Sequence, residues 1–448
     1  MGNSDRSKAP IWLELILDRV GNDVRISARG SRDEQIAFRP LGIAYDVLLE
    51  FAADVERSAK YGRPLTAELL TTARAIHEAV TDGEIGVLLG RLTEAAQGAL
   101  LVRFLVHDPT LQAVPWEALC SPHQARGFWA VSPELFPVRG LLIGLPWQSI
   151  AVENAVHVLA IAPTDAAGLD NLKQSLAERI PSGEVGWLEP LTGPLATKRG
   201  ILERLRRAPF PHVIHFVGHG RVDDDIAALR AADEADEESW LEVEAFAQEI
   251  ATHLQGKLRL VVLEACEGAR PSAFSSAAEI IAKAGVQAVL AHGWPVRANI
   301  AQICSTQLYH TLVGAKQRAG NIVTATNDAR RAILTNADGS AEMLSPILYL
   351  RGNDGALFNF ENRKLIPLII AGVGAVGAGI GAAVYKNVTN EGGGKSADIR
   401  PESGGESTTA PNFDASNSTH SLKEFDSPPA GHGTPKSNTN SQKQKNAP

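Results

Sequence analysis

The sequence predicts an α/β fold built on a mainly parallel sheet covered by helices, and three observations carry that prediction. Four short runs rich in Val, Ile and Leu, VHVLAIAP (156–163), HVIHFVG (212–218), LRLVVLEA (258–265) and VQAVLAH (286–292), are apolar on both faces, as buried parallel strands are. Segments of helical period separate them, near 167–179, 196–208, 244–254 and 273–284. Hydrophobic residues make up 44% of the 448-residue chain, enough to bury a substantial core. Strand, helix, strand repetition then lays successive strands side by side, with helices over both faces.

Along the chain, residues 1–10 read as a flexible polar arm without the apolar core of a secretory signal. The opening Met-Gly resembles a myristoylation start, but Arg6 stands where that motif needs Ser or Thr. Residues 11–145 read as a first subdomain, helical in period from Leu41 to Leu101 and partly β from LLVRFLV (100–106) through the WEAL and GFWAV stretches. Residues 146–360 hold the four strands and their helices, closed by two longer helices near 297–314 and 321–335. From 361 to 386 the chain reads as a transmembrane helix: Leu365 to Tyr385 carries no charge and is flanked by Arg363, Lys364 and Lys386. A buried core helix is the alternative for so Gly- and Ala-rich a stretch. Small residues recur every fourth position at Ala371, Ala375, Gly379 and Ala383, the spacing that lets helices approach closely, so self-association in the membrane is an expectation. Residues 387–448 are rich in Gly, Ser, Thr, Asn and Pro, carry too few large apolar side chains to fold, and read as a disordered tail.

Charge and cysteine content exclude several function classes. Lys and Arg number 43 against 51 Asp and Glu, a net charge of -8, so the basic footprint of a nucleic-acid binder is missing. Three scattered cysteines, Cys120, Cys266 and Cys304, build neither a disulfide framework nor a paired-cysteine metal site. The expectation is a reduced intracellular setting and no cofactor.

In an open α/β sheet, reactive groups gather at the carboxyl ends of strands. HVIHFVGHG delivers His219 between two glycines, and LRLVVLEAC delivers Cys266. Neighbouring parallel strands lie about 4.8 Å apart, so a His and a Cys at adjacent ends can converge on one carbonyl. The thiolate is the nucleophile and the imidazole moves the proton. Gly220 directly after the histidine leaves a backbone N–H open toward a developing oxyanion. The alternative for a lone strand-end cysteine is packing, and the alternative for His212, His215 and His219 is zinc. Residues 212 and 215 face opposite sides of a strand with no further ligand nearby, which disfavours the metal. Cys120 and Cys304 read as structural.

The blocks VPWEAL (114–119), HVIHFVGHG (212–220), LVVLEACEGA (260–269), AGVQAVLAHGWPV (284–296) and ATNDARRAIL (325–334) resemble the CHAT family, caspase-like domains of the clan that includes caspases, metacaspases, legumain and separase. The resemblance spans roughly residues 41 to 350. It implies a caspase-like three-layer sandwich, His219 as general base or acid, Cys266 as nucleophile, and an oxyanion hole from the Gly220 and Cys266 N–H groups. One departure is EGARP after the cysteine, where relatives often carry a Ser-Gly pair.

In this clan the residue two before the nucleophile lines the first specificity pocket, here Glu264, and Asp165 at the end of the first strand would supply a second wall. Two acids there favour Arg or Lys before the cut. The alternatives are an internal salt bridge for Glu264 and a helix cap for Asp165. The acidic runs Asp223 to Asp225 and Asp233 to Glu238 read as solvated loops that steer a basic substrate at most. The reading is a membrane-tethered cysteine endopeptidase acting on a partner protein or peptide in a bacterial stress, immunity or programmed-death system. Positive charges flank the span evenly; a catalytic thiolate persists best in the cytosol, so the catalytic domain is expected inside a single-pass anchor. Alternatives are a non-catalytic scaffold at the membrane and a membrane-perturbing effector controlled by the soluble part.

Overall fold

Leucines at alternate positions, Leu13, Leu15 and Leu17, turn one face of the first strand, β1 (Trp12–Val20), fully into the core. Gly21, at φ +64, makes the left-handed turn into β2 (Asp23–Gly30), which pairs antiparallel with β1 and with β3 (Gln35–Pro40). The computed structural model describes residues 10–97, 100–122, 127–141, 149–223, 226–234, 237–265, 273–314 and 319–360. Three helices follow β3, α1 (Tyr45–Lys60), α2 (Ala67–Thr81) and α3 (Glu84–Ala96), within the stretch of helical period. In α1 the buried set is Leu48, Phe51, Val55 and Ala59, a stripe at helical spacing. Next come β4 (Leu100–Val106), β5 (Leu135–Gly140) and the short β6 (Ile150–Ala151).

The predicted alternation then appears: β7 (Val156–Ala162), α4 (Ala166–Ser175), β8 (Val185–Trp187), β9 (Leu191–Thr192), α5 (Lys198–Leu205) and β10 (Val213–Gly218). A meander, β11 (Gly220–Asp223), β12 (Ile226–Arg230) and β13 (Trp240–Glu242), leads into α6 (Val243–His253) and β14 (Leu260–Ala265). The chain continues through α7 (Ala273–Lys283), β15 (Ala288–His292), α8 (Ala298–Val313), α9 (Ile322–Asn336), β16 (Pro346–Leu350) and β17 (Phe358–Asn359). Side chains of Thr66, Asp165, Thr197 and Asn321 cap α2, α4, α5 and α9 by accepting from backbone N–H groups three residues on.

Among the described residues the main sheet has 12 strands in the order β3-β2-β1-β4-β5-β16-β15-β14-β10-β7-β8, with β9 also on β7. Most neighbours are parallel; β1 with β2, β2 with β3, and β15 with β16 are antiparallel. Strand parity sends side chains into two cores. Val213, Val217, Leu260 and Val262 pack with Leu172, Ile300 and Leu308 of α4 and α8 on one face. Ile214, Phe216, Val261 and Leu263 pack with Leu205, Phe246 and Ile281 of α5, α6 and α7 on the other. Helices on both faces of a mostly parallel sheet agree with the predicted α/β class.

The structure bears on two further expectations. The sheet runs unbroken across the expected boundary near residue 145, because β16 inserts between β15 and β5 and pairs with both. Arg330 of α9 holds that junction, donating to the carbonyls of Pro346 at 2.7 Å and Pro137 at 3.2 Å. The segment 365–385, expected to span a membrane, and the tail from 387 lie outside the described residues. Among the described residues no helix is long and apolar enough to cross a membrane.

Candidate active site

Parallel pairing of β10 with β14 sets the register of the site: Val217 lies opposite Glu264 and Gly218 opposite Ala265. His219 is the next residue after Gly218. Cys266 is the next residue after Ala265 in the chain and lies outside the described residues, as do the backbone N–H assigned to it and the EGARP loop. His219 is half-buried, and its carbonyl accepts the Arg230 N–H at 2.9 Å, which ties the end of β10 to the meander. That bond identifies 219 and 230 as a hydrogen-bonded pair. The next pair inward, Gly220 with Leu229, is therefore a non-bonded one, and the Gly220 N–H points away from β12.

His219 lines a cavity of about 470 Å³ together with Thr164, Gly220, Arg221, Asp223, Arg230, Glu238 and Trp240. Trp240 carries the Arg221 guanidinium 4.3 Å and the Arg230 guanidinium 5.4 Å from its ring centroid. Arg221 pairs with Asp223 at 2.9 Å, and Arg230 pairs with Asp233 and, at 3.6 Å, with Glu238. The wall beside His219 is thus a stacked, charge-balanced platform that reading along the chain did not anticipate, since it takes three strands of the meander to assemble it.

The two acids expected to share a specificity pocket are both engaged internally. Asp165 accepts the Gly168 N–H at 2.8 Å and caps α4, next to Thr164 of the cavity wall. Glu264 is 4% exposed; its Oε2 accepts from His215 Nε2 at 3.1 Å and from Ser305 Oγ at 3.0 Å. His215 Nδ1 in turn meets Tyr309 Oη at 3.0 Å. Burial raises the Glu264 carboxyl, but the bonds from His215 and Ser305, with His292 nearby, outweigh it and hold the group below its ordinary value. Ser305 and Tyr309 stand four apart on α8 and so share the helix face laid over β10 and β14. Strand alternation does put Glu264 in the row of Leu260 and Val262; what the sequence leaves out is that α8 covers that row.

Of the other candidates, His212 stacks on His157 with ring centroids 5.1 Å apart before β10, while His215 points into the core beneath α8, where it meets Tyr309. Cys304 is buried, and burial followed by the Glu264 charge pushes its thiol up to about 12, so it is a packing residue at neutral pH. Cys120 is likewise buried, and burial raises its thiol.

The model of the CHAT domain matches residues 70–344, more than half of the chain. The chain belongs to the CHAT domain family. Among solved structures, this CHAT chain is similar to the separase chain of the Saccharomyces cerevisiae separase-securin complex, at 9% identity and a TM-score of 0.45, with 76% of this chain and 30% of that chain covered. It is also similar to a complex of Porphyromonas gingivalis RgpB pro- and mature domains, at 10% identity and a TM-score of 0.39, over 69% of this chain and 77% of that chain. The CHAT chain therefore spans about a third of the length of the separase chain it matches. No curated protein matches its sequence significantly.

Proposed function

We propose that this CHAT protein is a cysteine endopeptidase in which Cys266 is the nucleophile, His219 the general base and acid, and the Gly220 N–H part of the oxyanion hole. The supporting observation is the register: Gly218 pairs with Ala265 on adjacent parallel strands, and His219 and Cys266 are the residues that follow each in the chain. A Gly220 N–H turned away from β12 is available to a substrate oxygen in a way that a ladder N–H is not. Attack by the thiolate on the scissile carbonyl gives a tetrahedral oxyanion; collapse expels the amine with a proton from His219, and water then hydrolyses the thioester.

Within the same proposal the peptidase prefers Arg or Lys before the cut. Support comes from Asp165 beside Thr164 of the cavity wall, while Asp223 and Glu238 there are matched by Arg221 and Arg230 and Glu264 belongs to the core network. The proposal extends to tethering through 365–385 with the peptidase in the cytosol, acting on a partner protein in a bacterial defence or death system. Shaving intact cells with an external protease should remove a C-terminal tag and spare the folded domain; removal only after lysis rejects that topology.

The experiment that tests the chemistry is turnover of a basic fluorogenic peptide. Cys266→Ala and His219→Ala should each abolish it while stability changes by less than about 2 kcal/mol. Absence of thiol-dependent turnover on any peptide pool, with no labelling of Cys266 by a peptidyl electrophile, refutes the peptidase.

A further inference from the structure

The strand that follows His219 has one free side. β11 is the outermost strand of the meander and, among the described residues, pairs only with β12. Bonded and non-bonded pairs alternate along an antiparallel ladder. The Arg230 N–H on the His219 carbonyl makes 219 and 230 a bonded pair, so Arg221 with Ala228 and Asp223 with Ile226 are the next bonded ones. Gly220, opposite Leu229, and Val222, opposite Ala227, fall between them and turn both N–H and C=O away from β12. No backbone group among the described residues bonds to any of these four.

This edge opens at the candidate active site, since Gly220, Arg221 and Asp223 line the same cavity as His219. Side chains on β11 alternate between its two faces: Arg221 and Asp223 stand on the side of the Trp240 platform, and Val222 packs toward the core of α5, α6 and α7. Both sets project from the faces of the strand, so neither occupies its edge. A strand edge with unmet N–H and C=O groups is a template for another extended backbone. Four residues carrying an Arg221–Asp223 pair are too short and too charged to recruit a long foreign strand, yet they match the few residues around a scissile bond.

We propose that the substrate docks as an extra strand on β11, exchanging main-chain hydrogen bonds with Gly220 and Val222, so that the protein takes extended segments of its partner rather than helices or tight turns. The occupant follows from the peptidase reading; the open edge stands without it. With the carbonyl of the residue before the cut on the Gly220 N–H, ladder alternation decides which substrate amides face β11. They are the amides of that residue and of the residues two away from it, whichever way the substrate strand runs. The intervening amides face outward.

Binding is measured on the full chain with Cys266→Ala, which prevents turnover, by anisotropy of the fluorescein-labelled peptide Ala-Val-Arg-Val-Ala and two N-methylated forms of it. Methylation at the arginine and both alanines should weaken binding about tenfold, whereas methylation at the two valines should leave it within about twofold. Val222→Pro removes an N–H that β12 does not use, so the ladder survives, and should weaken the unmodified peptide about fivefold. Val222→Ala keeps that N–H and should bind like the parent. The peptide methylated at arginine and alanines should not sense Val222→Pro at all. Equal loss from both methylation patterns, loss from neither, no binding of the unmodified peptide, or full affinity in Val222→Pro overturns the proposal. Should Val222→Pro fail to fold, the two methylation patterns decide alone. Turnover by the unsubstituted chain separates the two readings: pattern-dependent binding without thiol-dependent turnover keeps the edge and removes the peptidase, and turnover with pattern-independent binding does the reverse.

Discussion

Acidification should weaken this fold well before its carboxylates titrate, through two histidines that are held neutral. His292, at the end of β15, falls from 6.5 to about 4 because of burial, with His215 adding to the shift and Glu264 and Glu342 opposing it. His212, just before β10, falls from 6.5 to about 4 through burial, then His157 and Arg259. Each has its Nδ1 engaged, His292 with Ser345 Oγ at 2.9 Å and His212 with the His157 backbone N–H at 3.1 Å. The unfolded chain takes up protons near pH 6.5, whereas the folded chain resists until about pH 4. Stability is therefore complete above pH 6.5 and drains away as the pH falls toward 4. Inside that window each histidine costs about 1.4 kcal/mol per pH unit, or about 3 kcal/mol over the whole of it. Two such groups remove about 6 kcal/mol, comparable to the whole stability of many domains. Urea unfolding of the full chain at closely spaced pH values, followed by tryptophan fluorescence, should show a slope of about 2 kcal/mol per unit between pH 6 and pH 5. His292→Asn keeps a polar partner for Ser345 without titrating and should halve that slope; His212→Asn should do the same. A stability flat over that range, or a slope that neither substitution changes, refutes the reasoning.

Two further predictions concern the acids near the site. Glu264→Ala strands the His215 and Ser305 donors in the core and should cost about 2 to 5 kcal/mol in urea unfolding, whereas Glu264→Gln retains an acceptor and should cost less than half as much. Equal costs would mean that those two bonds contribute little. Asp165→Asn keeps a competent cap on α4 and should leave stability unchanged while lowering turnover of Arg and Lys peptides about tenfold; Asp165→Ala should in addition lose about 1 kcal/mol of stability. Full turnover by Asp165→Asn would limit this residue to capping.

The α/β class, the four buried strands, the helices between them and the two candidate reactive residues were legible in the sequence because each is a local signal. A short run apolar on both faces and rich in β-branched residues fits a strand buried on both faces, and a Gly-His-Gly at its end marks the edge where reactive groups gather. The neighbours of those strands were not legible. β16 sits between β15 and β5 although β5 precedes it by some two hundred residues, and no local pattern encodes that pairing. The same holds for Glu264. Its row on β14 follows from alternation, but its partners His215, Ser305 and Tyr309 come from β10 and α8, so only the packing of α8 over the sheet decided that its carboxylate faces the core. Sequence determines which faces are apolar and which candidate residues stand at strand ends, because period and residue type are properties of one segment. Which buried polar groups meet is a property of two or three segments at once, and there the cost of an unpaired charge in the core, rather than any local preference, selects the arrangement.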